Sequence, residues 1–156
     1  MKKINFLLTA CLLVTTTIFL TGCDKEEPAP PADPDGTVIV YMRNGNDGAK
    51  QTAITPKNCH YPFYINNSDN FEGENWKFWI SEEMDGLVNI TEIPNNQVAD
   101  WTDQVAVKQK YGYIGQCFNN DGSHTNVRIY VTNLIKNSAT GGIIGAEVKY
   151  QSSFLQ

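Results

Sequence analysis

Thr125-Asn126-Val127-Arg128-Ile129-Tyr130-Val131-Thr132-Asn133-Leu134 alternates between two kinds of side chain. Val127, Ile129 and Val131 fall on one side, and Asn126, Arg128, Tyr130 and Thr132 on the other. Successive side chains of a strand point to opposite faces, so this period of two predicts a strand with one face against a core. A loop ending in Thr140-Gly141-Gly142 returns to residues 143–150, where Ile144, Ala146, Val148 and Tyr150 share one face and Glu147 and Lys149 the other. The two stretches are expected to pair antiparallel. Working outward, Thr37-Val38-Ile39-Val40-Tyr41-Met42-Arg43 turns Val38, Val40 and Met42 to one face, and Asn44-Gly45-Asn46-Asp47-Gly48 follows as a turn tolerant of positive φ. Residues 76–80 set Trp76, Phe78 and Ile80 against Lys77 and Trp79. Residues 59–65 are aromatic and extended, with Pro62 pushing them to an edge or a bulge. Residues 86–91, Val105 with Val107, and residues 111–118 complete a series of short strands. Residues 95–108 are the best helical stretch, but Val98, Trp101, Val105 and Val107 do not keep one face, so loop then strand is expected. Short strands separated by Gly, Asn and Asp predict an all-β chain with a single antiparallel β-sandwich, immunoglobulin-like or related, over residues 37–156.

The N-terminus has a different character. Met1-Lys2-Lys3 is positive, residues 6–20 are uncharged and mostly apolar, and Thr21-Gly22 places small residues before Cys23. This pattern predicts a secretory signal peptide over residues 1–22. A small residue followed directly by Cys resembles the lipobox of bacterial lipoproteins, which implies cleavage before Cys23, acylation of that residue, and attachment to a membrane through the lipid. Each buried methylene contributes about 0.8 kcal/mol, and two lipid signals already anchor stably. Beyond residue 22 no apolar run approaches the roughly 18 residues of a spanning helix, so the lipid is the expected attachment. Residues 23–36 then form a tether. Four prolines, scattered acids and no large apolar residue cannot pack a core, and polyproline II spacing extends such a segment by about 3.1 Å per residue.

Charge narrows the partners. Lys2 and Lys3 leave with the signal, which takes the net charge of −5 to −7. An acidic chain with no basic run is not expected to bind nucleic acid. Of the four cysteines, Cys11 leaves with the signal and Cys23 takes the lipid, so Cys59 and Cys117 remain. In a compartment outside the cytosol they are candidates for a disulfide contributing about 4 kcal/mol by the chain-entropy model. Two buried free thiols are the other reading, and spacing alone does not choose between them.

Two resemblances bear on lineage. Asp24-Lys25-Glu26-Glu27, directly after the lipidated Cys, resembles the surface-export signal of Bacteroidota lipoproteins and implies display on the outer face of the outer membrane. Gly86-Leu87, Ile93-Pro94, Trp101, Ala106-Val107, Gly112-Tyr113 and the tail from Thr140 to Tyr150 resemble uncharacterised Bacteroidota surface lipoprotein domains. These are framework positions, so the resemblance implies an address and a fold but carries over no active-site residue.

No catalytic constellation stands out. His60 and His124 are the only histidines, and neither lies in a Gly-x-Ser-x-Gly setting. Cys117 with His124 is a weak nucleophile and base pair, and Cys59, His60, Cys117 and His124 a strained zinc set, since adjacent residues of a strand diverge. Asp69, Glu72 and Glu74 gather hard oxygen donors in one loop and form a weak calcium candidate, beside the plainer reading of a solvated loop. No cofactor is expected. Glu82, Glu83 and Asp85 read as a polar turn. Trp79, Trp101, Tyr111 and Tyr130 are candidates to stack on a sugar ring, with core packing as the competing role. The expectation is therefore a surface lipoprotein with a non-catalytic sandwich that binds a glycan or a protein. The alternative is a structural or assembly subunit of a cell-envelope complex.

Overall fold

The computed structural model describes residues 36–43, 50–95 and 100–154. The expected signal peptide, Cys23, the expected tether up to residue 35 and the expected turn at 44–48 lie outside the described residues. Among those described, β1 (Gly36–Tyr41), β4 (Trp76–Glu83), β6 (Tyr111–Phe118), β7 (His124–Lys136) and β8 (Ile143–Ser152) form one sheet in the order β1-β8-β7-β6-β4. A second sheet contains β2 (Phe63–Ile65), β3 (Asn70–Gly73) and β5 (Gln104–Ala106) in the order β2-β3-β5. All strand pairs within both sheets are antiparallel. The chain is thus an all-β sandwich, as the alternation predicts. Its order is not that of immunoglobulin domains, because β6, β7 and β8 run as an uninterrupted meander within one sheet.

Register explains why the apolar faces meet. Val127 lies opposite Gly115, Ile129 lies between Tyr113 and Tyr150, and Val131 opposite Val148, so the inner positions of β6, β7 and β8 coincide. Against them the small sheet brings Phe63, Ile65, Phe71 and Val105, all buried. The contact layer is aromatic. Phe63 meets Phe71 and Trp76 edge-on at centroid distances of 5.6 and 5.1 Å, Phe71 meets Tyr113 at 5.1 Å, and Trp76 stacks on Phe78 at 5.5 Å. Such pairs contribute about 0.5–1.5 kcal/mol each beyond the area they bury. The sheets are also stitched along both sides. Met42 bridges Ile65 next to β1, and Phe78 exchanges backbone hydrogen bonds of 2.7 and 2.9 Å with Thr102 next to β4. Pro62 precedes the edge strand β2, where its missing donor is harmless.

Two stretches depart from strict alternation. Residues 86–91, expected as a strand, form a 3-10 turn at Leu87–Asn89. The buried residues there are Leu87 and Ile90, three apart, and three residues per turn place both on one side while Val88 faces solvent. In β7 a bulge between Val131 and Asn133 resets the register, so Leu134 rather than Asn133 packs against the core.

Gly115 shows how tight the layer is. A methyl group on it would lie 2.7 Å from the Trp76 ring. Gly115→Ala is expected to destabilise the protein by about 1–3 kcal/mol through overpacking. Urea unfolding of the full-length protein measures this, and an unchanged midpoint would contradict the packing.

Candidate functional site

The five-stranded sheet buries its outer face too. Leu87, Ile90, Ile114, Tyr130 and Phe154 form a second apolar cluster, with Trp79, Met84, Ile93 and Trp101 partly buried against it. Residues 84–93 are laid over that face, and polar side chains of β7 hold them there. The Tyr130 hydroxyl donates to the Met84 carbonyl at 3.1 Å, while the Met84 amide donates to Lys110 O at 2.8 Å. Arg128, fully buried, donates from Nη1 to Ile90 O at 2.9 Å. Its Nε and Nη2 both donate to Gln151 Oε1, and the guanidinium lies 4.7 Å from the centre of the Phe154 ring. Among the described residues no carboxylate pairs with it. Burial lowers its pKa from the usual arginine value, yet arginine stays charged in proteins, so these neutral acceptors and the ring face carry the cation.

Strand β4 supplies the floor of a cleft. Because Phe78 pairs with Thr102, one step along each antiparallel segment sets Trp79 opposite Trp101 and Lys77 opposite Asp103. The ion pair from Lys77 Nζ to Asp103 Oδ1, 2.6 Å long and exposed, bears this register out while adding little stability. Past Trp79 a bulge between Ile80 and Glu83 swings the end of β4 aside. The result is a cavity of about 670 Å³ with Trp79, Met84 and Ile90 on its walls. Glu82, Glu83, Asp85 and Glu92 add carboxylates, and Ser81, Asn89 and Thr91 add hydroxyl and amide groups. No lysine or arginine lines it. The negative field reaches inward: burial raises the Tyr130 pKa, and Asp85 and Glu83 raise it further.

The four aromatic candidates separate here. Trp79 lines the cleft, and Trp101 lies beside it on the outer face with its indole N–H buried and without an acceptor. Tyr130 is corrected to a packing residue, since its ring is only 6% exposed and its hydroxyl is engaged. Tyr111 is likewise removed from the site: it packs on the inner core, with the Lys108 ammonium 5.0 Å from its ring centre. The calcium candidate is also corrected. Among the described residues no three His, Cys, Asp or Glu side chains gather as metal ligands, which disposes of the zinc set as well. Asp69 sits in a left-handed turn with φ of 59°, Glu72 accepts from Asn66 Nδ2 at 2.8 Å, and Glu74 is exposed in the turn before β4.

A second cavity, of about 660 Å³, opens beside the β6–β7 turn, where Asn58, His60, Asn119, Asp121 and His124 line it. Cys59 and Cys117 lie under this region as free, buried thiols. Sequence reasoning missed the acidic rim and the role of Arg128. The signal for the latter was an arginine at the centre of the most regular apolar strand.

Arg128→Ala is expected to cost about 3 kcal/mol, since it leaves Ile90 O and Gln151 Oε1 without their charged donor. Urea unfolding checks the magnitude, and limited proteolysis is expected to cut first within residues 84–92. No protein-family model, curated protein or solved structure matches the chain.

Proposed function

We propose that the chain is a surface-anchored bacterial lipoprotein whose sandwich is a non-catalytic interaction module binding a glycan at the Trp79 cleft. The carrying observation is an indole on the wall of an open cavity whose other groups are carboxylates, hydroxyls and an amide. An indole face suits the C–H face of a pyranose, and carboxylate, amide and hydroxyl oxygens accept hydrogen bonds from sugar hydroxyls. A small set of polar groups around an apolar wall is the usual make-up of a small-ligand site. Four carboxylates with no cation among the lining residues favour neutral or amine-bearing sugars over uronic or sialic acids. The lipobox at Cys23 and the acidic residues after it support an outer-membrane anchor facing the exterior.

The non-catalytic part rests on where the chemical groups stand. Cys117 is fully buried, so it offers no nucleophile to a substrate held beside the exposed His124. His60 lines the second cavity and not the cleft that holds Trp79 and its carboxylates.

A glycan array probed with the full-length protein in detergent tests the ligand class. Neutral or amino-sugar glycans are expected to bind and polyuronates not, with Trp79→Ala weakening binding about tenfold, or 1.4 kcal/mol. Retention of binding in that variant, or a preference for acidic glycans, overturns the reading. Protease treatment of intact cells tests the address: the protein is expected to be degraded while a periplasmic marker survives, and full protection would place the domain inside the envelope.

A further inference from the structure

Cys59 and Cys117 come from a loop and a strand that meet through several independent contacts. Cys117 lies on the inner face of β6, opposite Trp76 on one side and Thr125 on the other. Each of those neighbours bonds to the backbone flanking Cys59. The Trp76 indole donates to Tyr61 O at 3.1 Å, and the Thr125 hydroxyl donates to Asn58 O at 2.8 Å. Asn119, two residues past Cys117, closes the bracket: its Nδ2 donates to Asn58 O at 3.2 Å and its Oδ1 accepts from the His60 amide at 3.1 Å. Cys59 is thereby held over Cys117. Both side chains are buried in the same core cluster, at 8% and 0% exposure, and the Cys117 thiol lies 3.9 Å from Tyr61 O, two residues past Cys59.

We propose that Cys59 and Cys117 are oxidised to a disulfide, and that this bond locks residues 56–61 in place as the wall of the polar cavity beside the β6–β7 turn. The oxidant is a disulfide compound, R–S–S–R, either a small-molecule disulfide or an oxidoreductase. The Cys59 thiolate, on the loop and the more exposed of the two, attacks it and releases RS⁻. The second cysteine then displaces the other RS⁻ from the mixed disulfide, forming the Sγ–Sγ bond. Two cysteine protons end on two RSH, and two electrons pass to the oxidant. An oxidant of this kind in the cell rests on the placement outside the cytosol proposed above. The closure is tested on purified protein, so the two fail separately.

The consequence is local. Asn58 and His60, on either side of Cys59, line the cavity together with Asn119 and Asp121 from the turn after β6. A crosslink from Cys59 to Cys117 ties these two walls covalently, where otherwise only hydrogen bonds join them.

Full-length protein in detergent is incubated with oxidised glutathione, denatured in the presence of an alkylating reagent, and mapped by peptide mass spectrometry. The expected result is a linked pair of peptides bearing Cys59 and Cys117, two hydrogens lighter than the reduced pair, with neither cysteine alkylated until reductant is added. Alkylation of both without reductant, or stable glutathionylation of one, overturns the proposal, because the sulfurs then do not reach each other. In urea the oxidised protein is expected to unfold at higher concentration than the reduced one, and hydrogen exchange in residues 56–61 is expected to slow. The double variant Cys59→Ser with Cys117→Ser is expected to respond to neither oxidant nor reductant. A wild-type midpoint and exchange pattern that are both indifferent to redox state would remove the locking role.

Discussion

Over residues 125–131 strand β7 is buried on both faces. Residues 125–131 are all inaccessible, with Val127, Ile129 and Val131 in the core between the sheets and Arg128 and Tyr130 beneath the segment on the outside. A strand at the centre of a five-stranded sheet has neighbours along both sides, so its backbone is satisfied. Its side chains are then the remaining constraint. A guanidinium at this position needs acceptors, since an uncompensated buried charge costs several kcal/mol. Gln151 from β8 and the Ile90 carbonyl meet that need, and the second of these fixes where the connection after β4 crosses the sheet. The cleft at Trp79 follows from that crossing, because its walls are the end of β4 and the segment that Arg128 and Tyr130 hold down.

This dependence sets what could be read from the chain alone. The face on which each residue of β7 and β8 lies is a local property of alternation, and it emerged correctly from residues 125–134 and 143–150. Trp79 was distinguished from Trp76 on the same ground, by sharing a side with Lys77. Whether a face is covered is not local. Arg128 and Tyr130 look like solvent-facing polar residues until a remote segment is laid across them, and for that reason Tyr130 stood as a stacking candidate beside its packing role. Residues 86–91 misled for a different reason, since Leu87 and Ile90 satisfy an i, i+3 spacing that a short apolar run does not separate from a strand. The Asp69, Glu72 and Glu74 group shows the limit of composition: suitable donor atoms in one loop do not converge when a turn and a strand aim them apart.

The two cavities differ chemically. One pairs an indole with four carboxylates, while the other is lined by amide, imidazole and hydroxyl groups and a single carboxylate, Asp121, beside a turn. They lie on different connections, the first after β4 and the second between β6 and β7, so residues can be exchanged in one while the other keeps its walls.

The position of β1 has a mechanical consequence. The chain enters the sandwich at Gly36, on one lateral edge of the large sheet, whereas Trp79 belongs to β4 at the opposite edge. Four strand spacings separate them, about 19 Å at the usual interstrand distance. A pull between Trp79 and the N-terminal segment therefore crosses every strand of the sheet. Within it, β1 is joined to β8 by the six residue pairs from Gly36–Tyr150 to Tyr41–Gly145. With the load entering at Gly36, the first of those pairs takes the strain before the rest, so the sandwich is set to yield under tension at its first strand, while the walls around Trp79 stay intact.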